Sequence, residues 1–123
     1  MKIHSYKDLV VWKKAMELVV LIYELTEKFP SSELYGLTSQ MRRAAISIPS
    51  NIAEGRRRGS KKEFLRFLLN AYGSGAELET QLEIAKRLPK TKNLDYNKVC
   101  PLLEEIMKML NRMIKMLNSK SSD

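Results

Sequence analysis

Apolar residues recur along this chain at helical spacing in four segments separated by short breaks. From Ser5 or Asp8 to Phe29, a row of Val11, Ala15, Leu18, Ile22, Leu25 and Phe29 steps by four and three, and Leu9, Trp12, Met16, Val19 and Tyr23 form a second row beside it. One row is enough to face a bundle interior, so the second is expected to meet another subunit or a loop. Pro30 ends the segment. The second helix is expected from about Leu37 to Arg57, with Leu37, Met41, Ala44, Ala45, Ile48 and Ile52 inward. Pro49 lies inside it, where a proline forfeits a backbone hydrogen bond at about 3 kcal/mol, and a kink is expected there.

Gly59 breaks the chain, and Ser60 with Glu63 has the spacing of a capping box for a third helix. That helix carries Phe64, Phe67, Leu68, Ala71, Leu78, Leu82 and Ala85 on one face and stops before Pro89. Gly73 and Gly75 sit inside it at about 1 kcal/mol each relative to alanine. Together with Ala71, Ser74 and Ala76 they permit close approach of another backbone, from this bundle or from a second subunit. A polar loop, PKTKNLD, leads to Asp95 as the expected N-cap of the fourth helix. Val99, Leu102, Ile106, Leu110, Met113 and Leu117 mark its inner face to about Asn118, and Pro101 is expected to delay or bend its first turn. With a frayed tail at 119–123 and no repeat or linker, the pattern predicts one all-α domain over 1–123, an antiparallel up-and-down four-helix bundle with a kinked second helix.

The most informative stretch is MRRAAISIPSNIAEGRRRG, from Met41 to Gly59. SIPSNIAEG, preceded by Gln40-Met41-Arg42-Arg43, resembles the signature of the bacterial four-helix-bundle proteins encoded in intervening sequences of large-subunit ribosomal RNA genes. The opening SYKDLVVWKKAMELVVLIYELTEKFP, the segment Ser60 to Phe64, and AYGSGAELE from Ala71 to Glu79 are similar to the same family. That family is similar in turn to the accessory variability proteins of diversity-generating retroelements. The resemblance implies an up-and-down bundle that assembles as a homopentameric ring, no enzymatic activity, and nucleic-acid or reverse-transcriptase binding in the retroelement relatives. Within the signature, Ser47, Pro49, Ser50, Asn51, Glu54 and Gly55, with Gly73 and Gly75 in the third helix, are assigned structural rather than catalytic use.

Composition narrows the chemistry. Across 123 residues, 44% are hydrophobic and 29% charged, a globular balance. Cys100 is the single cysteine, so no intramolecular disulfide can form and a structural zinc site is not expected, which suits a reducing cytoplasm. Neither a signal-peptide core nor a membrane span is legible. His4 is the single histidine, which removes the Glu-x-x-His pairs of a di-iron bundle and a histidine-dependent ribonuclease site. The glycines do not form a P-loop. No cofactor, metal or catalytic residue is expected. Glu83 is placed to pair with Arg87 one turn later, and Glu54 with Arg43 or a neighbouring helix.

The charge is +8 and uneven: +1 over residues 1–30, +3 over 31–59, +1 over 60–89 and +3 over 90–123. Arg42 and Arg43 begin the positive cluster, and Arg56, Arg57, Arg58, Lys61, Lys62 and Arg66 concentrate it between helices two and three. Guanidinium groups offer flat forks of donors suited to phosphate. In a ring, one such cluster per subunit makes a positive belt that binds RNA or DNA without reading bases. The plainer alternative is a solvated turn whose charges serve solubility and helix termini. The competing function is a protein-interaction scaffold, including an accessory subunit for a reverse transcriptase.

Overall fold

The computed structural model describes residues 5–121, so His4 lies outside the described residues. It is an all-α bundle of four helices, α1 (Val10–Thr26), α2 (Ser39–Arg57), α3 (Lys61–Arg87) and α4 (Val99–Ser121). Each helix packs against the two beside it, and α2 against α3 is the most extensive pairing. The core gathers Leu18, Ile22, Met41, Ile48, Ile52, Leu68, Leu78, Leu82, Leu103, Ile106 and Leu110, all essentially removed from solvent. Among the described residues no helix is long and apolar enough to cross a membrane.

The boundaries follow local hydrogen bonding more than apolar spacing. A short 3-10 turn, Tyr6–Asp8, precedes α1, and the Ser5 hydroxyl accepts from the Lys7 amide to start it. α1 ends at Thr26 rather than at Phe29, because the chain tightens into i→i+3 bonds from Lys28 to Leu25 and from Phe29 to Thr26. Phe29 still reaches the core, as the row predicted. The second row on α1 is divided: Leu9 is buried, Trp12 and Val19 are half-buried, and Met16 and Tyr23 are exposed. The start of α2 moves to Ser39 because Gly36, at φ −112° and ψ −109°, leaves helical geometry within the turn Leu34–Thr38. The Glu33 carboxylate accepts from the Leu37 amide at 3.1 Å and fixes that turn.

α2 passes through Pro49 as one continuous helix with the proline ring buried. It also continues through Gly55, whose place is set by packing: a Cβ there would stand 2.6 Å from the Phe67 Cβ on α3. The helix stops at Arg58 and Gly59, where φ is +86°, a backbone region that favours glycine. The Ser60 hydroxyl then caps α3 by accepting from the Glu63 amide at 3.1 Å. The expected reciprocal half of the capping box is replaced, because the Glu63 carboxylate turns to Arg66 and Arg58.

α4 needs three corrections, the first being that it runs to Ser121 rather than ending near Asn118, while the rest of the expected tail, 122–123, lies outside the described residues. Its buried row is Val99, Leu103, Ile106, Met107, Leu110 and Ile114, so Leu102, Met113 and Leu117 are shifted to its half-buried flank. Asp95 does not cap it: its carboxylate accepts from the Asn97 amide and closes a turn ahead of the helix. Pro101 falls in the first turn, where amides have no intrahelical partner, and costs no bond. The loop before α4 is anchored by two bonds that apolar spacing does not reveal, Thr91 hydroxyl to the Ala85 carbonyl at 2.6 Å and Tyr96 hydroxyl to the Thr91 carbonyl at 2.8 Å.

The three helical glycines are not equivalent. Gly55 faces the root of Phe67, Gly75 faces the flexible thioether of Met107, and Gly73 faces open space. Glycine to alanine within a helix is worth about 1 kcal/mol from propensity alone, whereas overpacking a fixed neighbour costs about 1–3 kcal/mol. Chemical denaturation is therefore expected to show Gly73→Ala stabilised by up to about 1 kcal/mol, Gly55→Ala destabilised, and Gly75→Ala between them as Met107 swings aside.

Candidate nucleic-acid interface

The end of α2, Gly59 and the start of α3 place six cations against two carboxylates over residues 54–66. Glu63 sits at the centre. Arg66 donates to both of its oxygens at 3.1 Å, and Arg58 approaches at 3.7 Å while also bonding Glu54 at 3.0 Å. The Arg66 hydrogen bonds hold the Glu63 carboxyl below the usual carboxylate range, and the Arg58 and Lys62 charges act in the same direction. Phe67 carries two guanidinium groups, Arg66 at 4.5 Å and Arg58 at 5.1 Å from its ring centre. Arg58 and Arg66 are thus oriented by carboxylates and an aromatic ring, with their outer edges exposed.

Arg57 is exposed and lies 5.7 Å over the Tyr6 ring, which meets Trp12 edge-on at 5.4 Å. Arg56 is half-buried. Lys61 and Lys62 are exposed on the first turn of α3, where the helix dipole disfavours cations and outward amides favour an anion. Folding therefore brings Arg56, Arg57, Arg58, Lys61, Lys62 and Arg66 to one end of the bundle. It does not bring Arg42 and Arg43 there, since Arg56 lies thirteen helical steps beyond Arg43, about 20 Å. Arg42 is half-buried, donates from Nε to the Thr26 hydroxyl at 2.9 Å, and lies 4.4 Å over the Tyr23 ring. It ties α2 to the end of α1. Arg43 is exposed beside a separate groove.

Residues 7–112 match the family model of the 23S rRNA-intervening sequence proteins. The chain belongs to that family. It is also similar to a Bacteroides thetaiotaomicron protein of unknown function from the S23 ribosomal protein family, known from a crystal structure at 1.70 Å. The two are 26% identical, the match covers 86% of this chain and 99% of the other, and the TM-score is 0.71. No curated protein matches the chain.

The signature that carried the resemblance to the intervening-sequence proteins has a packing role in this bundle. Asn51 Nδ2 donates to the Ser47 carbonyl at 2.8 Å and to the Ser47 hydroxyl at 2.9 Å, and that hydroxyl shares a 2.7 Å hydrogen bond with Ser74 on α3. Pro49 is buried on the side toward α1, Ser50 is exposed, and Gly55 admits Phe67. Glu54 bonds Arg58 one turn on rather than Arg43 or a neighbouring helix. Ser74 and Phe67 are the partners that the signature alone did not reveal; their spacing opposite Ser47 and Gly55 in an antiparallel pair is the signal that points to them.

Among the described residues no group of three or more His, Cys, Asp or Glu side chains is placed to hold a metal. Cys100 is half-buried in a small groove between α3 and α4 that Lys86 also lines, a basic neighbour supplied by folding rather than by sequence adjacency. The proximity of Lys86 to Cys100, with the hydrogen bond it donates to the Glu83 carboxylate at 3.2 Å, raises the Lys86 ammonium above its ordinary value. Glu83 also meets Arg87 at 3.8 Å, the pairing its spacing predicted.

The two N-terminal arginines of α2 should separate in a stability measurement. Arg42→Ala removes a hydrogen bond and a cation–ring contact and is expected to lower stability by about 1 kcal/mol. Arg43→Ala is expected to stay within about 0.5 kcal/mol of wild type, as an exposed side chain should. Urea midpoints of the two variants check this.

Proposed function

We propose that this protein is a non-enzymatic, oligomeric member of its family that works in the cytoplasm and binds RNA or DNA through phosphate contacts at the α2–α3 turn. The observation that carries the reading is the net excess of four positive charges on that turn, with Lys61 and Lys62 exposed where helix electrostatics disfavour them. Phosphate gives those lysines a role that stability does not. Arg58 and Arg66 support the same reading, because their carboxylate and ring partners fix the guanidinium planes and reduce the entropy lost on binding. Binding of this kind depends on salt and tolerates sequence.

Replacing Arg57, Lys61 and Lys62 together with glutamine leaves the Glu54–Arg58–Glu63–Arg66 network in place. Relative to wild type, the variant is expected to bind mixed-sequence RNA or DNA more weakly, with the slope of log affinity against log salt shallower by about 2–3. Fluorescence anisotropy at several salt concentrations reads both. A wild-type protein with no salt-dependent binding, or a variant with an unchanged slope, overturns the assignment.

A second reading, a protein-interaction scaffold that includes the role of reverse-transcriptase accessory subunit, draws on the open groove between α1 and α2. It has a volume of about 340 Å3 and is walled mainly by Tyr6, Trp12, Met16, Val19, Ile46 and Pro49. The same apolar wall supports self-association, and the family resemblance favours a homopentamer. Light scattering at micromolar concentration is expected to give a closed oligomer with the mass of five chains; a monomer would remove both the ring and the belt of charge it implies.

A further inference from the structure

The surface around Tyr35 is separate from the basic turn and has a different chemistry. Tyr35 is 93% exposed, the most exposed of the chain's large hydrophobic side chains among the described residues. It stands on the turn Leu34–Thr38, which the Glu33 carboxylate fixes through the Leu37 amide at 3.1 Å, so the ring is carried on a braced backbone. Below it runs a groove of about 540 Å3, the size that holds a small organic ligand, with Ser39, Gln40 and Arg43 of α2 on one wall and Glu77 of α3 on the other. Ser47 closes the groove, its hydroxyl already engaged with Asn51 and Ser74. The groove thus combines an unpartnered aromatic face, one exposed guanidinium, one exposed carboxylate and a side-chain amide.

We infer that this groove takes a single unpaired nucleotide of a single-stranded nucleic acid, with its base stacked on Tyr35 and its phosphate at Arg43. The inference rests on the nucleic-acid reading and deepens it, since the basic turn contacts phosphates alike in single strands and duplexes. Every base offers a flat face to a tyrosine ring, and a base held in a duplex cannot reach one. One guanidinium matches the one phosphate that each nucleotide carries. Glu77 repels a second anion and accepts an N–H. The exocyclic amine of cytosine meets it freely, whereas the one N–H on the uracil edge lies between two carbonyl oxygens that a carboxylate repels, so the groove favours cytosine over uracil. Gln40 supplies a donor and an acceptor for the remaining base edge. Arg43 lies about 20 Å along α2 from the basic turn, within reach of one strand spanning both surfaces.

The test compares labelled oligocytidine, oligouridine and a mixed-sequence duplex by fluorescence anisotropy with the full chain. Wild type is expected to bind oligocytidine more tightly than the other two. Tyr35→Ala, at a position exposed enough to leave folding untouched, is expected to weaken oligocytidine binding about 5- to 150-fold, the range for losing one base–aromatic stack. Duplex affinity and salt slope should not move, and Tyr35→Phe, which keeps the ring, should bind as wild type. Glu77→Gln should bind oligocytidine and oligouridine alike. Wild-type oligocytidine affinity in Tyr35→Ala, with salt-dependent duplex binding intact, overturns the stacking site and leaves the basic-turn reading standing. A wild-type protein that binds none of the three overturns both.

Discussion

The close approach of α2 and α3 is the constraint on which the rest of this bundle depends. Two contacts set it. Gly55 lets α2 come against the root of Phe67, where a single methyl group would collide, and the Ser47 and Ser74 hydroxyls meet two turns away at 2.7 Å. The first is a volume condition and the second a directional one, so together they fix both the spacing and the register of the pair. A hydroxyl pair between packed helices is costly to leave unpaired, which penalises any slip along the axis. Asn51 adds a third member by donating to Ser47, so the polar node is anchored within α2 before it reaches across.

That register also determines what the turn displays. With Phe67 pressed against Gly55, its ring lies beneath Arg58 and Arg66, and Glu63 stands between them. The carboxylates hold these guanidiniums in place without cancelling the positive excess, because Arg57, Lys61 and Lys62 remain at the surface. A basic run in an extended chain would spread its charges and pay entropy to gather them. Here the helix ends gather them in advance. The two ends of α2 then differ in kind: the C-terminal end is a dense field of charge, while the N-terminal end couples one exposed arginine to an exposed tyrosine and a mixed polar groove.

Membership of the intervening-sequence family accounts for the signature through packing rather than chemistry. Ser47, Pro49 and Gly55 are spent on the contacts of α2 with its neighbours, Asn51 on holding Ser47 within α2, and Arg42 on joining α2 to Thr26 and Tyr23 at the end of α1. A motif of this sort marks a fold. The side chains that differ in what they offer a partner lie beside it, on the turn that follows and on the turn Leu34–Thr38 that precedes it.

Helix number, the inner row of α1 and that of α2 from Met41 to Ile52, the glycine stop and the serine cap were all legible in the sequence, because each rests on neighbours three or four residues apart; Leu37, expected in the α2 row, falls half-buried in the turn before it. The positive cluster around Gly59 was legible for the same reason. Tertiary structure decided what depends on distant pairs. It shifted the buried row of α4 to Leu103 and Ile114, since a helix with apolar residues on several sides buries the side its neighbours leave open. It made Gly55 a contact and left Gly73 in open space, although propensity treats the two alike. It moved Arg42 out of the positive cluster by giving it Thr26, and it exposed Tyr35, a residue whose own neighbours in sequence say nothing of burial. Local spacing determines which elements form; only the packed partners across the bundle determine which side chains remain to act.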